Sequence, residues 1–191
     1  MSLALAKDQQ HYTYGNFPYW ELEEGDLAEL IDGELMFINA PSAKHQKTSY
    51  RLLLEIGRCL AGKTGEVMHA PFDVRLFPKA DNSDDTVVMP DISVILDTDK
   101  LSDNKACKGA PDWIIEILSP TNCSHDSVAK FNQYLKAGVR EYWIVDPEAK
   151  TVQVHILDNG RYVTSAFDET QNVPVTVLSG WEIALKTVFE E

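Results

Sequence analysis

The chain has 191 residues, 44% of them apolar and 25% charged. That is the composition of an ordinary globular protein, long enough to bury a sizeable core, and it excludes a disordered or low-complexity chain. A formal net charge of -13 argues against a broad basic face that grips a long duplex, although clustered carboxylates can hold a cation that reverses the charge locally.

No stretch approaches the roughly 20 consecutive apolar residues of a membrane span. The start, MSLALAKDQQ, lacks the apolar run of a signal peptide, so the cytoplasm is the expected location. Cys59, Cys107 and Cys123 form no C-x-x-C pair. They read as free thiols in a reducing compartment rather than as zinc ligands.

Residues 1–20 form an aromatic-rich lead-in, with His11, Tyr12, Tyr14, Phe17, Tyr19 and Trp20; residues 21–191 are expected to form a single domain. ELEEGDLAEL, residues 21–30, reads as a short acidic helix or turn. Asp32-Gly33 is a turn signal, and Glu34 to Asn39 reads as a strand. Ser42 is an N-cap for a helix that carries Leu52, Leu53, Ile56 and Leu60 at helical spacing and ends near Gly62.

Short strands are expected at 66–70 and 72–77, an exposed loop follows, and MPDISVIL reads as a buried strand. After a polar loop over 97–109 come a strong strand, PDWIIEILS, and a second long helix with Val128, Phe131, Tyr134 and Leu135 on one stripe. VREYWIVD and TVQVHIL are strands. Asp158-Asn159-Gly160 is a hairpin turn leading into RYVTSAF, and WEIALKTVF reads as a terminal helix. Helices on the faces of a central mixed sheet are the economical arrangement of this order, an α/β fold.

Two carboxylates stand out. Asp91 and Glu116 each sit in an apolar strand, where a lone charge is costly unless something pairs with it. Facing one another across neighbouring strands, they would suit a divalent cation with a preference for hard oxygen ligands. The alternative is that Asp91 caps a turn after Pro90 and Glu116 faces solvent. Lys130, on the following helix, either pairs with Asp126 four residues earlier on the surface or points back toward the carboxylates. Glu34 opens a strand, and His45 lies early on the first long helix, placed to carry a proton or meet a phosphate. Asp73 and Arg75 share a strand face and are placed to pair. No HExxH, GxxxxGK[ST] or GxSxG motif is present.

The strings DGELMFINAPSAKHQ, PFDVRLF, VMPDISVI, PDWIIEILSPTN and HDSVAKFNQYLKAGVREYWIVDP, in that order, resemble a bacterial restriction-endonuclease-like family that is abundant in cyanobacteria and belongs to the PD-(D/E)XK nuclease superfamily. The resemblance spans roughly residues 20–190. It implies a restriction-endonuclease-like core of mixed sheet flanked by helices. It also implies a Mg²⁺- or Mn²⁺-dependent endonuclease acting on DNA, with Asp91, Glu116 and Glu34 as metal ligands and His45 and Lys130 assisting. The superfamily lysine position falls on Leu118, a departure; the resemblance supplies the lysine from the next helix, as Lys130.

Two other readings stand beside this one: a non-catalytic nucleic-acid or protein interaction module, and a metal-dependent hydrolase of smaller phosphoesters. A homodimer is also expected, with the lead-in and the apolar tail at 181–189 as candidate contacts.

Overall fold

Because its strands alternate faces, the central strand β8 (Trp113–Ile117) organises the molecule. The computed structural model describes residues 11–17, 27–119 and 125–190, with the backbone alone at 125–127. In β8, Trp113, Ile115 and Ile117 point to one side and join Leu52 and Ile56 of helix α1 (Ala43–Leu60). Ile114 points to the other side and joins Tyr134 of helix α2 (His125–Ala137). Successive side chains of a strand face opposite ways, so Glu116 is committed to the α2 side.

Strand β9 (Glu141–Asp146) pairs parallel with β8 after the α2 crossover. Its Trp143 packs against Trp113 with the rings tilted by 59° and their centroids 4.7 Å apart. Beyond β9 lie β10 (Thr151–Asp158) and β11 (Arg161–Asp168), a hairpin closed by Asn159 and Gly160, both at positive φ, as a type I′ turn requires. On the other flank, β6 (Ile92–Ile95) pairs antiparallel with β8, and β3 (Glu66–His69) pairs antiparallel with β6. The six-stranded mixed sheet is ordered β11-β10-β9-β8-β6-β3.

A second, five-stranded sheet sits on the α2 side. Its order is β2-β1-β5-β4-β7, built from β1 (Leu27–Ile31), β2 (Glu34–Ile38), β4 (Val74–Arg75), β5 (Val87–Val88) and β7 (Cys107–Lys108). A third ribbon, β12 (Asn172–Val175) with β13 (Trp181–Ala184), and the short helix α3 (Leu185–Val188) close the α1 side. The expected mixed α/β architecture with flanking helices is therefore present, with strands divided among three sheets.

Several expectations change. From Leu27 the acidic segment is strand, not helix. Asp32 and Gly33 both take positive φ, which makes residues 27–38 a tight hairpin; the expectations for 1–10, 18–26 and 120–124 lie outside the described residues. Val128 is 63% exposed, so α2 turns it to solvent rather than into the core. The tail at 181–189 is half strand, and Ile183, Leu185 and Val188 are fully buried. Together with the buried Phe17, these candidate dimer contacts belong to the chain's own core.

Arg75 pairs with Asp84 rather than Asp73. The guanidinium donates from Nε to Asp84 Oδ2 at 2.8 Å and from Nη2 to Asp84 Oδ1 at 2.5 Å, both residues being buried. Tyr14 of the lead-in lies over the same guanidinium, 4.0 Å from its ring centroid, so the lead-in docks on this sheet. Asp84→Ala leaves a buried Arg75 unpaired and should cost roughly 3–5 kcal/mol in denaturant unfolding. Glu148→Ala, which removes the exposed pair with Lys44, should cost under about 1 kcal/mol. Equal costs would contradict this account of the sheet.

Candidate active site

The two sheets and both long helices meet at a cleft of about 700 Å³. Its acidic floor follows from strand parity. Asp91 immediately precedes β6 and shares the parity of Ser93 and Ile95, whose side packs toward α2. Glu116 has the same orientation on β8. Glu29 on β1 has the orientation of Ile31.

Each carboxylate is held. The Ile117 N–H donates to Asp91 Oδ2 at 2.7 Å, and His45 Nε2 lies 3.2 Å from that oxygen. The Tyr134 hydroxyl donates to Glu116 Oε1 at 2.6 Å. The Met89 N–H donates to Glu29 Oε1 at 2.7 Å. Lys130 Nζ stands between two of them, 2.7 Å from Glu29 Oε2 and 3.2 Å from Glu116 Oε1.

Lys130 is buried by α2, which the Gln133 amide clips to Asp32 at the hairpin tip at 2.7 Å. A surface role for Lys130 is thereby ruled out; the Asp126 side chain lies outside the described residues.

The site holds more negative than positive charge. Burial pushes the Glu116 carboxyl up to about 8, against the pull of Lys130, and the nearby Asp91 and Glu29 charges add to the rise. Burial by itself would lower the His45 imidazole; its hydrogen bond to Asp91 and the charges of Asp91 and Glu116 outweigh that, and the net shift is upward. His45 Nδ1 is buried without a hydrogen-bond partner, and the helix start that carries it is capped by Ser42, whose hydroxyl accepts from the His45 N–H at 3.2 Å.

The structure thus brings four of the five expected residues together: His45, Asp91, Glu116 and Lys130 all line the cleft. Glu34 is not among them. It shares the hairpin face of Glu29 but sits two positions nearer the tip, opposite Ile31, where it is exposed. Glu29 is the carboxylate this hairpin sends to Lys130. Glu29 and Tyr134 were missed as site residues, the first inside a run read as an acidic helix, the second as a core aromatic. Ala28, Glu29, Leu30 and Ile31 are all buried, on both faces of β1, so no alternation in the sequence marks the strand or singles out Glu29.

Burial of a carboxylate does not by itself mark the site. Glu141 is fully buried, yet it accepts from Trp143 Nε1 at 2.8 Å and from the Val177 N–H at 2.9 Å and is structural.

Among the described residues, no group of three or more His, Cys, Asp or Glu side chains is arranged to hold a metal. The chemistry of two donors nevertheless suits a hard cation. Asp91 Oδ1 and Glu116 Oε2 accept no hydrogen bond among the described residues, and a magnesium ion needs only one or two carboxylates, with water completing its shell.

The chain matches the Uma2 family, described as "Putative restriction endonuclease", over residues 14–186. It belongs to that family. The structure is also similar to the crystal structure of a "putative nuclease belonging to DUF820" from Anabaena variabilis ATCC 29413, at 24% identity and a TM-score of 0.74, covering 93% of this chain and 97% of the other. At that identity the likeness speaks for the fold. No curated protein matches the chain. Among the described residues of this Uma2 family member, no helix is long and apolar enough to cross a membrane.

The raised Glu116 carboxyl has a consequence for stability. Its folded value lies above the ordinary value near 4.5, so between about pH 4.5 and 8 the folded state binds more protons than the unfolded state. Stability from this group is present below that window and is lost as pH rises through it. In EDTA at pH 8, Glu116→Gln should therefore melt a few degrees above wild type, a gain of about 1–2 kcal/mol, and the gap should narrow toward pH 5. A pH-independent loss of stability in Glu116→Gln would contradict this.

Proposed function

We propose that this cleft hydrolyses DNA phosphodiester bonds with the help of Mg²⁺ or Mn²⁺, in the manner of a PD-(D/E)XK nuclease. The observation that carries the reading is the pair Asp91 and Glu116. Glu116 comes from β8 and Asp91 from the residue just before its antiparallel neighbour β6; they face one side of the sheet, each keeps a carboxylate oxygen that accepts no hydrogen bond among the described residues, and Lys130 lies beside Glu116.

A divalent ion in this place supplies positive charge to the scissile phosphate and lowers the pKa of attacking water. The chain's own residues do the rest. Asp91 and Glu116 provide hard oxygen ligands. Glu29 fixes the Lys130 ammonium beside Glu116, and Glu34, exposed near the hairpin tip, is given no part as the metal ligand that the resemblance implied. Lys130 stabilises charge developing on the phosphate. His45, oriented by Asp91, carries a proton to or from the reacting group. Tyr134 holds the Glu116 carboxylate in one orientation. The buried free thiols at Cys59 and Cys107 suit a reducing compartment such as the cytoplasm.

A second reading is favoured by charge. Among the described residues, Lys130 is the one Lys or Arg lining the cleft, and the whole chain carries -13. A small phosphoester would suit such a surface with no basic track for a polymer.

Wild type, Asp91→Ala, Glu116→Ala and Lys130→Ala should be compared on supercoiled, linear and single-stranded DNA and on bis(p-nitrophenyl) phosphate, with EDTA, Mg²⁺ or Mn²⁺. Metal-dependent DNA cleavage is expected, abolished by either carboxylate change and slowed about 100-fold by Lys130→Ala. Cleavage undiminished in Asp91→Ala would place the activity elsewhere. Turnover of the small ester alone would favour the second reading.

A further inference from the structure

The carboxylates occupy only part of the cleft. Leu27, Ile38, Pro41, Tyr50, Leu53 and Pro71 line the same cleft and give it an apolar wall. Tyr50, on the third turn of α1, is 62% exposed, and Leu27 is 39% exposed. Pockets of this size, about 700 Å³, typically take an organic group rather than an ion and its waters alone. The two halves therefore ask for a ligand with a flat apolar part close to an anionic part.

The charge of the chain decides which nucleic acid fits. A duplex keeps its base faces stacked and offers phosphates to an approaching protein, and affinity then comes from Lys and Arg that displace counterions. Among the described residues this cleft has Lys130 alone, already engaged by Glu29 and Glu116. Binding energy must come from another source, and aromatic stacking on an unpaired base is the one the wall offers.

We propose that the apolar wall around Tyr50 receives an unpaired nucleobase, so that the strand acted on is single-stranded where its phosphate meets Asp91 and Glu116. The inference rests on the nucleic-acid reading of the same cleft. The base would lie on the Tyr50 ring with Leu27 and Ile38 at its edge, and the adjoining phosphate would reach the carboxylate floor.

The test uses the full chain and a short DNA single strand carrying 2-aminopurine, alone and paired to its complement, in Ca²⁺ to separate binding from turnover. The single strand should bind at least about tenfold more tightly than the duplex, with a change in 2-aminopurine fluorescence. Tyr50→Ala should weaken single-strand binding by about tenfold, the effect of losing one stacked base; Tyr50→Phe should retain it. Phe37→Ala, at another exposed aromatic that does not line the cleft, should change nothing.

Equal affinity for the two DNA forms, no binding of either, or indifference to Tyr50→Ala overturns the proposal. Failure of the nuclease reading looks different. Tyr50-dependent binding without cleavage under any metal would keep the base pocket and remove the chemistry. Asp91-dependent cleavage of duplex with no Tyr50 dependence would keep the chemistry and remove the pocket.

Discussion

A buried ammonium, Lys130, paired with the buried Glu29 and the half-buried Glu116, with Asp91 close by, is the constraint on which the rest of the structure depends. Glu29 reaches the cleft from β1, Glu116 from β8 and Asp91 from the residue just before β6, and Lys130 arrives from α2. A charge in such surroundings is tolerable only when hydrogen-bonded or paired. The partners are the Met89 and Ile117 N–H groups, the Tyr134 hydroxyl and Lys130 itself. These contacts fix how the five-stranded sheet meets the six-stranded one and which face of α2 points inward. The clip from Gln133 to Asp32 ties the same helix to the hairpin that delivers Glu29.

The parts of this arrangement that are local in the chain were legible in the sequence. Helix α1 follows from the spacing of Leu52, Ile56 and Leu60 after the Ser42 cap, and the β10–β11 hairpin from Asn159-Gly160. Asp91 and Glu116 stood out because each breaks an apolar run. Lys130 was ambiguous from spacing, since an i,i+4 acidic neighbour fits a surface pair equally well; the family resemblance resolved it. Glu29 was hidden because it is one of several acidic residues interspersed with leucines in ELEEGDLAEL, and its strand character depends on pairing with β2 and with Val87 of β5. The two-residue strands β4, β5 and β7 are set by such non-local pairing and leave no periodic signal. Tyr134 was misjudged because one side chain serves both the core and the site: its ring packs against Tyr142 and its hydroxyl against Glu116.

The surplus of negative charge links stability to function. Burial first, and the neighbouring Asp91 and Glu29 charges after it, raise the Glu116 carboxyl, and a positive species entering the cleft would offset both. Such a site is held at the expense of fold stability, a common trade at functional positions. On the proposed reading, a cation held by these carboxylates is what would let a chain of charge -13 act on a phosphate: the anion would meet a neutralised floor, and the apolar wall would supply the grip that a basic surface supplies elsewhere.

The central claim is that Asp91 and Glu116 form one cation site, and calorimetric titration with Mn²⁺ tests it most directly, without needing a substrate. Wild type should show saturable binding that disappears in Asp91→Ala, while Tyr134→Phe, which frees the Glu116 carboxylate from its orienting hydroxyl, should bind roughly 10–100-fold more weakly. No saturable heat in the wild type, or an isotherm unchanged by Asp91→Ala, would contradict the account.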